Sequence, residues 1–230
     1  MSSGLGNPRV HYRRTDSTST RARELAAGGA PHGTLVTARE QSAGRGRHGR
    51  SWTAPPGRAL LMSLVLRRWP PLLPLAAGVA VAEVGGGAAA VKWPNDVLLG
   101  GRKAAGILAE GRPQEGWMVL GVGLNVAVRP ADLPAELRDT ATGLGLEPGD
   151  VESVLAALLA GLERWLEAPP QAVLSAFAAR DALAGREVAW ADGQGRGAGV
   201  DEEGRLLVDT PDGRVALDAG EVHLLSAAKR

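Results

Sequence analysis

Residues 59–67 read ALLMSLVLR, a short apolar run of the kind that forms a buried strand. The next apolar segment, residues 72–84, reads LLPLAAGVAVAEV and is followed by three glycines. Alanine is the strongest helix former, and glycine commonly ends a helix. This stretch therefore predicts a buried strand with an alanine-rich helix packed against it.

Shorter runs on both sides predict the rest of a sheet. Residues 33–39 are rich in β-branched side chains, and strand-like runs follow at 89–93, 104–110 and 117–128. A helix is expected before them, from Asp16 and Ser17 as capping residues to about residue 27. Strands mixed with helices in this order predict an α+β fold with a mixed β-sheet packed against helices.

The pattern changes twice in the second half of the chain. Apolar residues at helical spacing predict a helix that starts near Asp150, and a second helix is expected over 171–183. From residue 185 onward the sequence alternates in short runs, at 187–191, 197–201, 205–209 and 214–218. We therefore predict a main domain over residues 1–184 and a small β-barrel over residues 185–230, with no flexible linker between them.

Composition excludes several classes of protein. Lysine and arginine total 26 against 25 acidic residues, so the net charge of +1 gives no strong overall attraction to nucleic acid or anionic lipid. Cysteine is absent, which excludes disulfides, thiolate zinc sites and a cysteine nucleophile, and fits a reducing cytoplasm. No secretory signal is recognised, and no apolar run reaches the roughly 20 residues of a membrane span.

The basic residues are very uneven in kind. The chain has 23 arginines but only three lysines, Lys92, Lys103 and Lys229. A single lysine is ordinarily a solvated surface residue. Two of the three lie close together in sequence, which argues for a specific role.

Residues 41–52, QSAGRGRHGRSW, combine three glycines with three arginines directly after a predicted strand. Glycine lets a backbone approach a ligand closely, and arginine binds phosphate or carboxylate in a bidentate way. The segment matches neither a P-loop nor a Rossmann turn. From composition alone, a mobile basic loop or an Arg-Gly nucleic-acid contact is as good an interpretation as a nucleotide site.

Residues 91–96, VKWPND, place a lysine, an amide and a carboxylate at a strand end, but a plain Pro-Asn-Asp turn explains them equally well. Ser17 and Thr18 at a helix start would ordinarily only cap it. The glycines of residues 121–125, GVGLN, fit close strand packing. His32 and His48 lack metal-ligand spacing and are expected at the surface.

Taken together, the segments DST at 16–18, 41–52, KWPND at 92–96, RKAAGIL at 102–108 and GVGLN at 121–125 resemble the biotin protein ligase family. The similarity runs from about Val10 to the C-terminus. It implies the α+β fold of the class II aminoacyl-tRNA synthetase and biotin synthetase type, with an SH3-like C-terminal barrel. It also implies that biotin and ATP form biotinyl-5'-AMP, with Mg²⁺ carried on the triphosphate, and that a lysine of a biotin carboxyl carrier domain accepts the biotin.

The same resemblance implies roles for individual residues. Lys103, Arg45 and Arg47 would be catalytic, acting at the carboxylate and phosphate. Residues implied to bind biotin are Ser17, Thr18, Ser19, Gln41, Gly44, Arg45, Gly46, Arg47, Lys103 and Gly106. Residues implied at the nucleotide are Trp52, Asn95, Asp96 and Asn125. Asp96 is a secondary candidate for Mg²⁺, and Lys92 is expected to be a neighbour of the reacting groups.

Two departures from the family pattern affect these expectations. The family usually has asparagine where this chain has Ser19, so one contact to biotin is in question. Only a short tail precedes Val10, so a winged-helix DNA-binding domain and repressor function are not expected. A homodimer is left open.

Two other functions compete with this interpretation. A lipoate or octanoate protein ligase has a similar fold but binds an apolar acyl chain, which does not require the polar Ser17, Thr18 and Gln41. A nucleic-acid-binding protein would use the Arg-Gly loop, although its positive charge would then extend over a face.

Overall fold

A computed structural model describes residues 4–218 and 220–225. Lys229 lies outside this range, as does the end of the predicted barrel. Four helices and fourteen strands occur in the described part. The helices are α1 (Thr18–Ala27), α2 (Leu73–Val84), α3 (Val151–Leu166) and α4 (Pro170–Ala178). The strands are β1 (Arg9–Tyr12), β2 (Leu35–Ala38), β3 (Gly44–Arg45), β4 (Ser51–Trp52), β5 (Ala59–Leu66), β6 (Ala89–Lys92), β7 (Asp96–Leu99), β8 (Arg102–Arg112), β9 (Trp117–Asn125), β10 (Glu187–Trp190), β11 (Gly193–Val200), β12 (Leu206–Thr210), β13 (Gly213–Leu217) and β14 (His223–Leu224).

A seven-stranded sheet in the order β1-β2-β5-β9-β8-β7-β6 forms the main layer. Only β1 and β2 are parallel, and the other neighbours are antiparallel. Every residue of β5 is buried, as its apolar run predicts. The mixed sheet confirms the predicted α+β fold, although the short strands β1 and β7 were not predicted.

The two faces of this sheet are covered differently. On one face, α2 packs over β6, β7 and β8, and α3 packs over β5. Leu60, Met62 and Leu64 of β5 belong to the largest apolar cluster, which lies on this face. On the other face, α1 covers only part of the sheet, through a small apolar cluster that includes Ala22 of α1 and Val65 of β5. The remaining area of that second face, over β8 and β9, is where the candidate site lies.

The C-terminal strands form a separate antiparallel sheet in the order β13-β12-β11-β10-β14. All four predicted strands are present, and β14 is an additional one. The predicted barrel is corrected in one respect: among the described residues β13 and β14 do not pair, so this small SH3-like unit is an open sheet. Its buried Val188 and Val208 belong to the same apolar cluster as α2, which packs it onto the main sheet.

No helix within the described residues combines the length and the apolar character needed to cross a membrane.

Asp181 joins the end of the helical layer to strand β6. Arg180 O accepts a hydrogen bond from Val91 N at 2.7 Å, and Ala182 N donates to Val91 O at 2.9 Å. The Asp181 carboxylate accepts a hydrogen bond from Leu183 N at 2.8 Å, but its other oxygen is buried without a partner. Burial therefore raises the pKa of Asp181 above its ordinary value.

This raised pKa predicts the sign of a pH effect. The unfolded carboxyl ionises near its ordinary pKa of 3.8, below the folded pKa, so its contribution to the free energy of unfolding falls as pH rises from 3.8 through the folded pKa. Asp181→Asn has no such titration. Urea unfolding between pH 4 and 7 should show the variant gaining stability relative to the unmodified protein as pH rises. Asp192→Asn, at an exposed position, is the control; a pH-independent difference for Asp181→Asn would contradict the assignment.

Candidate functional site

Three glycines form a strip without side chains on the partly covered face of the sheet. Gly106 of β8 pairs directly with Gly123 of β9, and Gly121 pairs with Leu108. A methyl group at Gly123 would lie 2.8 Å from Nε1 of Trp52, and one at Gly121 would lie 2.8 Å from Oγ of Ser19. The strip is thus the floor of a cleft, and any larger residue would fill it.

Hydroxyl and amide groups line one end of this cleft. Gln41 Oε1 accepts hydrogen bonds from Thr18 N at 2.6 Å and Thr18 Oγ1 at 3.1 Å. Thr18 Oγ1 also accepts from Ser63 Oγ at 2.9 Å, and Ser63 Oγ is 3.1 Å from Ser19 Oγ. These side chains form one hydrogen-bonded chain at the N-terminus of α1.

Ser17 does not perform the capping role that its position predicts. It is the residue that precedes α1, but its side chain makes no capping hydrogen bond. Its Oγ is buried without a partner at the edge of the cleft. Buried hydroxyls nearly always have a partner, so this one is suited to a ligand atom.

The Gly-Arg loop folds as a small hairpin above the strip. Gly44 pairs with Trp52 and Arg45 with Ser51. A side chain at Gly44 would collide with the Trp52 carbonyl oxygen and come within 2.9 Å of Gln41 Nε2. The tight hairpin places the Trp52 indole over Gly106 and Gly123, so a ligand on the glycine floor requires the ring to move.

An irregularity in β8 turns Lys103 toward the same cleft. Val97 of β7 pairs with Ala105 and Leu98 pairs with Lys103, so Ala104 is an extra residue. Regular alternation would direct Lys103 to the face of Ala105 and Ile107, which are part of the α2 core. The bulge instead brings it to the Gly106 face, since bulges can redirect a side chain. Lys103 Nζ lies 2.6 Å from Asp96 Oδ1 and 5.8 Å from the centre of the Trp52 ring.

The turn after β6 connects the loop to β8. Asn95 donates to Ile107 O at 3.1 Å and accepts from Arg47 Nη1 at 3.1 Å. Trp93, two residues before Asn95, is buried, and its Nε1 donates to Gly204 O of the C-terminal unit at 2.9 Å. Hydrogen bonds to β8, to the Gly-Arg loop and to the C-terminal unit therefore fix this segment, and the segment positions Arg47.

Positive charge is concentrated in the cleft. Among the described residues, five cationic side chains and two carboxylates line it: Arg45, Arg47, Arg50, Lys92 and Lys103, with Asp96 and Glu221. Burial lowers the pKa of Lys92, and burial likewise lowers the pKa of Arg47. Desolvated cations gathered around a cleft favour an anionic ligand.

Some of these cations also have partners outside the sequence motifs. Arg45 Nη2 lies 2.8 Å from Glu110 Oε1 on β8. Arg50 pairs with Glu221, which precedes β14 in the C-terminal unit. The C-terminal unit therefore contributes part of the cleft wall.

Most of the predicted site residues meet in this one cleft. Lining it are Ser17, Thr18, Ser19, Gln41, Arg45, Gly46, Arg47, Trp52, Asn95, Asp96, Lys103 and Gly106. Gly44 supports the hairpin beside it, and Asn125 is buried behind it with its amide bonded to Thr142 O at 2.9 Å. The implied roles of all these residues stay predictions.

Sequence reasoning missed Ser63, Glu110 and Glu221. Ser63 could have been noticed as the one hydroxyl within the apolar β5 run. The two acids carry no local signal, because their partners are distant in sequence. His48, expected at the surface, is exposed at the rim of the cleft, and the half-buried His32 accepts a hydrogen bond from Arg67 N at 3.1 Å.

Comparisons with known proteins assign this architecture to a family. The model of the biotin/lipoate A/B protein ligase family matches residues 11–126, and that of the biotin protein ligase C-terminal domain matches residues 185–225. The biotin–acetyl-CoA-carboxylase ligase of Paracoccus denitrificans is 35% identical over 91% of this chain and 97% of its own. The chain belongs to the biotin/lipoate A/B protein ligase family.

Other biotin protein ligases agree with this placement. The biotin–acetyl-CoA-carboxylase ligase of Mycobacterium tuberculosis is 35% identical over 90% of this chain and 85% of its own. The bifunctional ligase/repressor BirA of Bacillus subtilis is 34% identical over 96% of this chain and 75% of its own. A solved biotin protein ligase from Aquifex aeolicus in complex with biotin and ATP superposes with a TM-score of 0.80, at 28% identity over 96% of this chain and all of that chain.

Gly123→Ala tests the glycine floor. The added methyl should displace the Trp52 ring and cost about 1–3 kcal/mol of unfolding free energy, as overpacking does. The emission of Trp52, obtained by subtracting the matching Trp52→Phe spectra, should shift to longer wavelength. Gly87→Ala, with nothing within 4 Å of the added carbon, is the control. An unchanged Trp52 spectrum would show that the ring does not rest on the strip.

Proposed function

We propose that this protein activates biotin with ATP as biotinyl-5'-AMP and transfers the biotinyl group to a lysine of a biotin carboxyl carrier domain. The observation that supports this most is the composition of one cleft: a hydroxyl and amide end, a glycine floor and a cluster of cations. A polar heterocycle, an extended chain and an anionic centre would meet these three surfaces in turn. Family membership and the relatives agree with the proposal.

The polar end favours biotin over lipoate. The ureido group of biotin has both hydrogen-bond donors and an acceptor, which suit Ser17, Thr18 and Gln41. Ser19 is already paired with Ser63, so we infer a supporting role for it rather than a direct contact. The dithiolane ring of lipoate would leave the buried Ser17 hydroxyl without a partner, at a cost of roughly 1–3 kcal/mol.

The cationic end is suited to the first step. A biotin carboxylate oxygen attacks the α-phosphorus of ATP, the bond to the pyrophosphate oxygen breaks, and pyrophosphate leaves. Lys103 and Arg47 would stabilise the negative charge that accumulates on the reacting oxygens, because such displacements depend on positioning and electrostatic stabilisation. Arg45 would join them after exchanging its pairing with Glu110 for the anionic ligand.

The second step uses the same cations. The amine of the carrier lysine attacks the acyl carbon, the bond from that carbon to the phosphate oxygen breaks, and AMP leaves while the ammonium loses a proton to solvent. The hairpin over the floor would exclude water from the mixed anhydride until the carrier arrives.

The nucleotide would occupy the side of the cleft near Trp52, Asn95 and Asp96, with Asn125 behind it. Mg²⁺ in nucleotide sites is commonly held by one or two carboxylates together with the phosphates. Asp96 and Glu221 fit that donor set, and no cluster of three potential metal ligands occurs in the described residues. The metal would supply charge neutralisation to the phosphates.

The carrier domain of a carboxylase is the proposed protein partner. Nucleic acid is not proposed as a partner. The cationic side chains proposed to act in the reaction lie inside the cleft, where they suit a small anion better than an extended nucleic acid. A cytoplasmic location is part of the proposal.

Isotope exchange between pyrophosphate and ATP tests the first step. Exchange should require biotin, and lipoate or octanoate should not replace it. Lys103→Ala should lower the adenylation rate by about 100- to 1000-fold, as loss of one charge-stabilising donor does. Arg102→Ala changes the adjacent, exposed basic residue and should retain the rate. Exchange that depends on lipoate would overturn the substrate, and full activity of Lys103→Ala would remove Lys103 from the site.

Arg47→Ala tests retention of the intermediate. Removing its charged hydrogen bonds should accelerate the release of biotinyl-5'-AMP by about 10- to 100-fold. Release can be measured by trapping free adenylate after a single turnover, with the exposed Arg186→Ala as the control. Equal release rates in both variants would exclude Arg47 as a contact to the intermediate.

A further inference from the structure

We infer that Asp16 is a positioning residue for the proposed biotin site and that it acts through Ser17. This inference rests on the proposed function, because it concerns how the polar end of the cleft is built. Asp16 does not line the cleft, and its side chain is 39% exposed. Its hydrogen bonds nevertheless reach both segments that form the polar end.

One oxygen of the Asp16 carboxylate accepts hydrogen bonds from three residues. Oδ1 accepts from Ser17 N at 2.7 Å and from Thr15 Oγ1 at 2.8 Å. Arg21, in the first turn of α1, donates to the same oxygen from Nε at 3.1 Å, and its Nη2 lies 3.0 Å from it. Burial opposes the charge of Asp16, but these bonds and the charge of Arg21 hold its pKa below its ordinary value. The carboxylate is therefore ionised at neutral pH and fixed in one orientation.

The bond from Ser17 N to Asp16 accounts for the direction of the Ser17 hydroxyl. A serine that precedes a helix ordinarily turns its Oγ to a backbone N–H two or three residues later. Ser17 has the extended backbone of such a residue, with φ −154° and ψ 136°, but its side chain makes no capping bond. Its Oγ is instead buried without a partner at the edge of the cleft. Because Asp16 holds the Ser17 N–H, the Ser17 backbone is fixed, and its Cα–Cβ bond is fixed toward the cleft.

The backbone at Asp16 also joins the segment before α1 to the segment that carries Gln41. Thr15 and Gln41 form a parallel bridge, and Ser42 N donates to Thr15 O at 2.9 Å. Ala43 N donates to Asp16 O at 2.9 Å. The hydroxyl side and the amide side of the polar end are thus joined at this point. A rigid ureido group needs such a fixed spacing, since binding groups must be held close to their productive geometry.

Isothermal titration calorimetry with biotin, in the absence of ATP, tests the role of Asp16. Asp16→Ala should weaken biotin binding by about 3- to 10-fold, which corresponds to the loss of one oriented hydrogen bond. Asp16→Asn retains an acceptor oxygen for Ser17 N and should bind biotin within about twofold of the unmodified protein. Asp209→Ala is the matched control, because it removes a similar pairing, with Arg214 Nε at 2.7 Å, in the C-terminal unit. It should leave biotin affinity unchanged.

Asp16→Glu separates positioning from a general effect of charge. The variant keeps the negative charge near the start of α1 and can still pair with Arg21, but its oxygens lie one methylene further from Ser17 N. It should therefore weaken biotin binding as Asp16→Ala does. A carboxylate that only stabilised the positive end of the helix would tolerate this change. Unchanged biotin affinity in Asp16→Glu would overturn the inference.

A double-mutant cycle with Ser17→Ala shows whether Asp16 acts through Ser17. Adding Asp16→Ala to Ser17→Ala should cause almost no further loss of biotin affinity, since residues in one hydrogen-bonded network are not additive. The single-turnover rate of adenylate formation at saturating biotin should stay within about twofold in Asp16→Ala, because Asp16 touches none of the reacting groups. Additive losses of affinity, or a loss of that rate without a loss of affinity, would contradict the inference.

Two further results keep the test decisive. Thermal unfolding establishes that each variant is folded, and Asp16→Glu carries the test if Asp16→Ala is not. An unmodified protein that neither binds biotin nor shows biotin-dependent exchange would overturn the proposed function together with the inference. Biotin-dependent exchange in the unmodified protein, with unchanged biotin affinity in folded Asp16→Ala, would overturn the inference alone.

Discussion

The strip of Gly106, Gly121 and Gly123 is the constraint on which the rest of the site depends. A sheet face that carries no side chains cannot be covered by an ordinary apolar core. Helix α1 reaches only the Gly121 end of the strip, through Ser19, and leaves Gly106 and Gly123 beneath the Trp52 ring. The hydroxyl groups at the start of α1 reach one end, and the hairpin of the Gly-Arg loop lies above it. The opposite face, filled by α2 and α3, supplies the apolar burial that stabilises the sheet.

The two ends of this strip differ in charge. The polar chain from Gln41 to Ser19 is neutral and internally bonded. The far end has five cations: Lys92 and Arg47 are desolvated, and the other three are paired with carboxylates. Lys103 belongs to the second group only because of the Ala104 bulge. The main sheet and the C-terminal unit are coupled at the same place, since Trp93 bonds Gly204 and Arg50 pairs with Glu221.

The sequence predicted those parts of the fold that depend on local patterns. The apolar run of β5, the alanine-rich α2 and the alternating C-terminal strands all appear near their expected positions. Strand β1 was missed because its four residues include the polar Arg9 and His11, and β7 because it starts at Asp96, which belongs to the segment interpreted as a turn. That the C-terminal sheet is open could not be predicted, because it depends on which strands pair in the folded chain. For the site, the family resemblance named most lining residues, but the bulge at Ala104 and the contacts of Ser63, Glu110 and Glu221 arise from pairing between distant segments.

The central claim is that one ligand, biotinyl-5'-AMP, lies on the glycine strip between the α1 hydroxyls and Lys103. A crystal structure of the protein grown with biotin and ATP tests it most directly. We expect the ureido group beside Ser17, Thr18 and Gln41, the phosphate within hydrogen-bond distance of Lys103, and the Trp52 ring moved off the strip. A ligand bound elsewhere, or a Trp52 ring still seated on Gly106 and Gly123 in the complex, would contradict the claim.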